Sequence, residues 1–220
     1  MNQRPLYIFL GPPGSGKGTQ GRRIQEKLPC TYLATGDLVR EMSARAGSGD
    51  PLYDEIKYRK DNGILQPDDI IIKAVDKKLS EINLDQGIVF DAFPMSVDQA
   101  RGLEKLRERY HFAEPKVMVI EVSKDSVVGR LSKRRYCPVC HKAFLPGTIP
   151  YQKNSCDQAH GALIMRDDDK PEVVKRRYQE YSERLREVTD FYQEKGWLRT
   201  INGEGSVNEV ATMIDQVLIG

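Results

Sequence analysis

Three stretches of this chain carry residues whose types and spacing can do chemistry. The first is GPPGSGKGTQ, residues 11–20, where Gly11, Gly16 and Lys17 have the spacing of a phosphate-binding loop. Glycines let the backbone turn its N–H groups around phosphate oxygens. The lysine reaches the outer phosphates, and a helix starting at the loop presents its positive end. The strict pattern has Ser or Thr directly after the lysine; here Gly18 intervenes before Thr19. The second stretch is VFDAFPMSVDQA, residues 89–100, in which an apolar run ends at Asp91 and the chain turns before an expected helix. A strand end ahead of a helix is where an α/β protein holds its ligand. Yet the residue on this elbow, Met95, carries no charge and donates no strong hydrogen bond. The third holds Cys137, Cys140 and Cys156, three of the four cysteines. Such clustering in a reducing compartment points to metal rather than to a disulfide framework.

These residues need elements to position them. Apolar runs at 6–10, 88–90, 117–122 and 198–201 read as strands without a polar alternate face, as in a parallel sheet covered on both sides. Between them, Ile71, Val75, Leu79 and Ile82 recur at helical spacing after Pro67-Asp68-Asp69. The longest helix is expected from about Pro171, with Val174, Tyr178, Tyr181, Leu185, Val188 and Tyr192 on one apolar stripe. The aromatics of that stripe read as core. The alternation predicts a doubly wound α/β sheet. Two stretches stand outside it. Residues 36–67 are helical in pattern with no clear strand, and 136–166 are irregular and rich in Gly, Pro and Cys.

With 34 basic and 32 acidic residues among 220, the net charge of +2 argues against a nucleic-acid or membrane partner. The apolar run at 6–10 is too short for a signal segment or a membrane span. The chain is expected to be cytoplasmic and monomeric.

The Gly-Lys-Gly-Thr ending of the loop, with ATGDLVR (34–40) and DAFPMSVDQA (91–100), resembles the adenylate kinase family of nucleoside monophosphate kinases. The resemblance covers nearly the whole chain. It takes in NGILQPD (62–68), the arginines around 130–135, the cysteine-bearing insertion and RDDDKPEVVKRR (166–177). It implies a P-loop nucleoside triphosphate hydrolase-like core, with a five-stranded parallel sheet and helices on both faces. That core would comprise 1–35, 68–135 and 167–220, with a helical acceptor-binding insertion at 36–67 and a lid at 136–166. The implied activity is reversible phosphoryl transfer from Mg·ATP to a nucleoside monophosphate, foremost AMP, with Mg²⁺ as cofactor.

Such a transfer requires in-line placement, positive charge on the moving oxygens and exclusion of water. The acceptor phosphate is already anionic, so no general base is needed, and His111, His141 and His160 suit no triad. By the resemblance, Lys17 neutralises the transferring phosphate and Arg130, Arg134, Arg166 and Arg177 close over the phosphates, where planar guanidinium groups suit bidentate contacts. Gly11, Gly14, Ser15, Gly16, Gly18 and Thr19 complete the ATP cradle. Asp91, with Asp37, supports the waters of Mg²⁺. Thr35, Arg40, Ala92, Met95 and Gln99 lie on the acceptor side with Arg166 and Arg177, and Gln99 reads adenine through its amide.

Two of these positions depart from the family. Its elbow reads Asp-Gly-Phe-Pro-Arg, the arginine gripping the acceptor phosphate, whereas this chain has Ala92 and Met95. A lost charge-assisted hydrogen bond costs about 1.5–3 kcal/mol, roughly ten- to a hundred-fold in affinity or rate. The alternatives to an AMP kinase are therefore a kinase with another acceptor and a catalytically weak nucleotide-binding regulator. The cysteines resemble the zinc-bearing lid of part of the family. The family's fourth ligand falls three residues after the third, at Ala159 here. His160, next to it, is the expected donor, with Asp157 or His141 as substitutes.

Overall fold

The computed structural model describes residues 3–140, 142–165 and 169–219. The apolar runs become the strands β1 (Leu6–Leu10), β3 (Ile88–Asp91), β4 (Lys116–Glu121) and β7 (Leu198–Asn202). A further strand, β2 (Thr31–Ala34), was not foreseen. Its TYLA sequence is short and half polar, so it has no signature by itself. Pairing with β3, Thr31 opposite Ile88 through Ala34 opposite Asp91, makes it a strand. The five strands are parallel in the order β2-β3-β1-β4-β7, the sheet that the resemblance implies.

Helices α1 (Lys17–Lys27), α2 (Thr35–Ala44), α3 (Pro51–Asp61), α4 (Asp68–Glu81), α5 (Val97–Arg109) and α6 (Lys124–Lys133) follow in turn. Adjacent strand residues point to opposite faces. Leu6, Ile8, Leu10, Ile88 and Phe90 therefore pack towards α2 to α5, and Phe9, Val89, Met118 and Ile120 towards α1 and α6. Both faces of the central strands are dry, which explains their lack of polar alternation. None of the helices among the described residues is long and apolar enough to cross a membrane.

Strand β1 lies centrally. The chain leaves it first for the β2–β3 side and later for β4, so its C-terminal end is a switch point where a crevice opens. Residues 11–16, after β1, and the elbow at 92–96, after β3, both empty into it.

Within 36–67, α2 and α3 are tied back to α4 by ion pairs. Lys78 Nζ lies 2.7 Å from Glu41, Arg45 Nη1 2.9 Å from Glu81 and Lys77 Nζ 2.6 Å from Asp50. Within 136–166, a two-stranded ribbon of β5 (Arg135–Tyr136) and β6 (Ala143–Phe144) and the single turn α7 (Ile149–Gln152) surround a very small core of Cys137, Phe144, Cys156 and Leu163. Helices α8 (Pro171–Glu194) and α9 (Val207–Ile219) complete the fold. On α8, Val174, Val188 and Tyr192 are buried core residues, as the stripe predicts. Tyr181 is not part of either main core and goes elsewhere, as described below.

At the elbow, Ala92 adopts φ 57°, a left-handed conformation that favours glycine. Its N–H donates to Phe9 O at 3.0 Å, which holds the turn against β1. A Cβ in this region costs about 1 kcal/mol. Ala92→Gly is therefore expected to stabilise the fold by about 1 kcal/mol, seen as a higher urea midpoint with an unchanged denaturant slope.

Candidate active site

The loop after β1 is shaped by glycine. At Gly11, φ +141°, a Cβ would stand 2.4 Å from Ile120 O. Gly16 caps α1 in the left-handed region at φ 101°, and no side chain caps the helix, whose first turn holds no acid. The positive end of α1 is thus left for an anion. Ser15 Oγ is buried with no hydrogen-bond partner, a donor that a phosphate oxygen would satisfy.

Lys17 is nearly buried, and its Nζ folds back to donate to Gly11 O at 2.6 Å and Pro12 O at 2.9 Å. Burial pulls its pKa down to about 8. Asp91 opposes that shift, while Arg177 and Arg134 add to it. Asp91, Arg134 and Arg177 thus act electrostatically on the lysine, a coupling the spacing along the chain could not display.

The arginines rest on protein acceptors. Arg134 makes a bidentate pair with the fully buried Asp169, Nε–Oδ2 2.9 Å and Nη2–Oδ1 2.5 Å. Arg130 Nη2 donates to Gly203 O at 2.7 Å and lines a cleft of about 390 Å³ with Ser126, Lys133, Leu145, Pro146 and Glu204. Arg166 lies outside the described residues.

Asp91 ends β3, and its Oδ2 accepts from the Tyr32 hydroxyl. One carboxylate beside a phosphate loop fits Mg²⁺, which keeps several of its own waters. Asp37 is held by arginines, its carboxylate engaged by Arg40 and, at 3.7 Å, by Arg22.

On the acceptor side, Thr35 Oγ1 donates to Ala92 O at 2.8 Å, joining the start of α2 to the elbow. Arg40 has a buried Nε without a partner, a donor left for an incoming anion. Gln99 is built into the start of α5. Its Oε1 accepts from Met95 N–H at 2.8 Å, and its Nε2 donates to Asp68 Oδ1 at 2.7 Å. Ser96 Oγ caps the Gln99 N–H at 3.0 Å and donates to Asp68 Oδ2 at 2.7 Å. Each end of the Gln99 amide makes one hydrogen bond and keeps a second donor and a second lone pair for a ligand. Met95 is half-buried on this braced turn.

In the 136–166 insertion, the donor atoms of Cys137, Cys140, Cys156 and His160 all lie within 4.8 Å of one another. Cys140 Sγ is 3.6 Å from Cys156 Sγ, and His160 Nδ1 is 3.7 Å from both Cys137 Sγ and Cys156 Sγ. A tetrahedral Zn²⁺ with arms of about 2.3 Å needs edges of roughly 3.8 Å, so the donor set fits. Burial raises the Cys137 thiol, but hydrogen bonds led by the Cys140 and Val139 N–H groups bring it down to about 6, which favours the thiolate. Asp157 is paired with Lys142 instead, and His141 lies outside the described residues.

Two residues of the site escaped sequence reasoning. Tyr181, read there as core, sets its ring 5.4 Å from Lys17 Nζ, and its hydroxyl accepts from the Gly11 N–H at 3.0 Å. Nothing in a regular apolar stripe distinguishes it. Asp169 lies in a stretch that the resemblance takes in without giving this residue a role, and it is the buried partner of Arg134.

The family model described as adenylate kinase matches residues 9–197. The adenylate kinase of Thermotoga neapolitana is 34% identical over 212 residues, 96% of each chain. That of Archaeoglobus fulgidus is 35% identical over 215 residues, again 96% of each. That of Kosmotoga olearia is 36% identical over 208 residues, 94% of this chain and 95% of the relative.

An oligophosphate placed in the loop favours charged Lys17 and returns its pKa above 8, so binding above that pH takes up a proton. Calorimetry with ATP at about pH 8.5, in two buffers of different ionisation enthalpy, is expected to show net uptake of up to about three-quarters of a proton. Lys17→Met is expected to abolish it, and affinity should fall as pH rises through 8.

Proposed function

Because the chain belongs to the adenylate kinase family and is a phosphotransferase of the nucleoside monophosphate kinase class, we propose that its acceptor is AMP, in ATP + AMP = 2 ADP. The observation that supports this reading is that Asp91, Arg134 and Arg177 all act electrostatically on Lys17 at the loop, while Thr35 and Gln99 are both hydrogen-bonded to the elbow that follows Asp91. The loop N–H groups and Ser15 hold the donor phosphates. Lys17 exchanges its bonds to Gly11 O and Pro12 O for phosphate oxygens. Arg130 and Arg134, with Arg166 and Arg177, spread positive charge over the group in flight, where such electrostatic stabilisation does most of the work. Mg²⁺, bound with ATP, supplies charge neutralisation and a template, and Asp91 orients its waters. Arg40 and Gln99 hold the acceptor. The 36–67 insertion and the 136–166 lid close over the pair and exclude water.

A kinase with another acceptor is the second reading, favoured by Met95 on the elbow. Steady-state rates with Mg·ATP against AMP, CMP, UMP and GMP decide between them, and AMP is expected to be preferred. Met95→Arg is expected to raise kcat/KM for AMP about tenfold. An unchanged or lower value, with another monophosphate preferred, supports the second reading. No turnover with any acceptor despite ATP binding points to a regulator.

Cys137, Cys140, Cys156 and His160 hold a structural zinc that staples a lid whose own core is too small to do so. The purified protein is expected to contain one zinc per chain. Cys156→Ser should lose it and render the 136–166 segment more sensitive to proteolysis, whereas an unchanged metal content refutes the site.

A further inference from the structure

Tyr32 has a place prepared for it. Helix α1 carries two glycines, Gly18 and Gly21, that weaken it without any turn to require them. Both face Tyr32. A Cβ on Gly21 would stand 2.5 Å from the Tyr32 ring at Cε2, and one on Gly18 would stand 3.4 Å from the phenol oxygen and 3.3 Å from Asp91 Oδ2. The slot so formed runs from β2 to the end of β3, where the phenol donates to Asp91. The Arg22 guanidinium covers the ring, 5.0 Å from its centroid, and reaches Asp37, which is paired with Arg40. A continuous set of contacts therefore runs from the acceptor-side arginine to the carboxylate beside Lys17.

We propose that Tyr32 is a positioning residue for phosphoryl transfer, holding Asp91 in place at the phosphate loop through a slot that Gly18 and Gly21 leave in α1. This rests on the reading of Asp91 given above. A carboxylate held by a fixed donor keeps one orientation towards the waters of Mg²⁺, and partners of this kind tune a metal's surroundings. Without the phenol, Asp91 can turn towards Lys17.

Tyr32→Phe keeps the ring in the slot and removes only the donor. It is expected to lower kcat about tenfold while KM for AMP stays within about twofold. Calorimetry should also show the tighter binding of Mg·ATP over ATP in EDTA reduced by roughly threefold or more. Gly21→Ala crowds the ring and should bring the same losses, with little further loss when added to Tyr32→Phe, because the bond is already gone. Wild-type kcat together with wild-type Mg²⁺ dependence of ATP binding in Tyr32→Phe overturns the proposal. So does a lower thermal midpoint with both unchanged, which would make Tyr32 a packing residue. If the wild-type protein transfers no phosphoryl group, the fault lies with the proposed function, and the calorimetric comparison still decides the role of Tyr32.

Discussion

The structure is organised around a concentration of positive charge whose natural counter-charge is a ligand. Lys17 is buried, and Arg134 and Arg177 are close enough to lower its pKa. In a medium of low dielectric such cations repel one another and lose hydration. The protein answers with acceptors of its own. Two loop carbonyls hold Lys17, a buried aspartate holds Arg134, a carbonyl after β7 holds Arg130, and Asp91 sits near the lysine. In the resting structure each acceptor keeps a cation oriented. Under the proposed function, phosphate binding at Lys17 is an exchange of partners, which costs less than bringing unpaired charges together.

Everything else serves to aim that charge. The switch in strand order at β1 opens the crevice. The dry interior of β1, β3 and β4 makes their ends rigid enough to set loop positions within ångströms. At the elbow rigidity comes from polar groups: Asp68 holds both Ser96 and Gln99, so the elbow cannot drift from the start of α4. Met95 and Ala92 sit on this well-braced turn. The 136–166 segment meets a different problem. Four buried core residues cannot hold thirty-odd residues in one conformation, and four converging donors offer a covalent-like substitute.

Much of this was legible in the chain. Strong local signals marked the phosphate loop, the buried strands, the long helix from Pro171 and the cysteine knuckle. In each case composition or spacing reports directly on backbone geometry or on metal chemistry. The choice of His160 over Asp157 followed from the family's ligand position and a workable spacing, and the converging donors are compatible with it. The strand β2 was missed because a four-residue edge strand is made by its neighbour and not by its own residues.

What the sequence by itself determined is the inventory: a glycine-lined loop with one lysine, a set of arginines, an elbow carrying Ala92 and Met95, and three clustered cysteines with a nearby histidine. Only the tertiary structure decided which groups meet. It set Tyr181 of the apolar stripe against the loop and made Asp169 the buried partner of Arg134. It gave Asp37 to Arg40 and Asp91 to Tyr32, and explained two glycines in α1 by a ring on another strand. The physical reason is range. Turn conformation and helical or strand periodicity are set by neighbours a few residues away, whereas a buried charge takes whichever partner the packed sheet delivers, however distant in the chain.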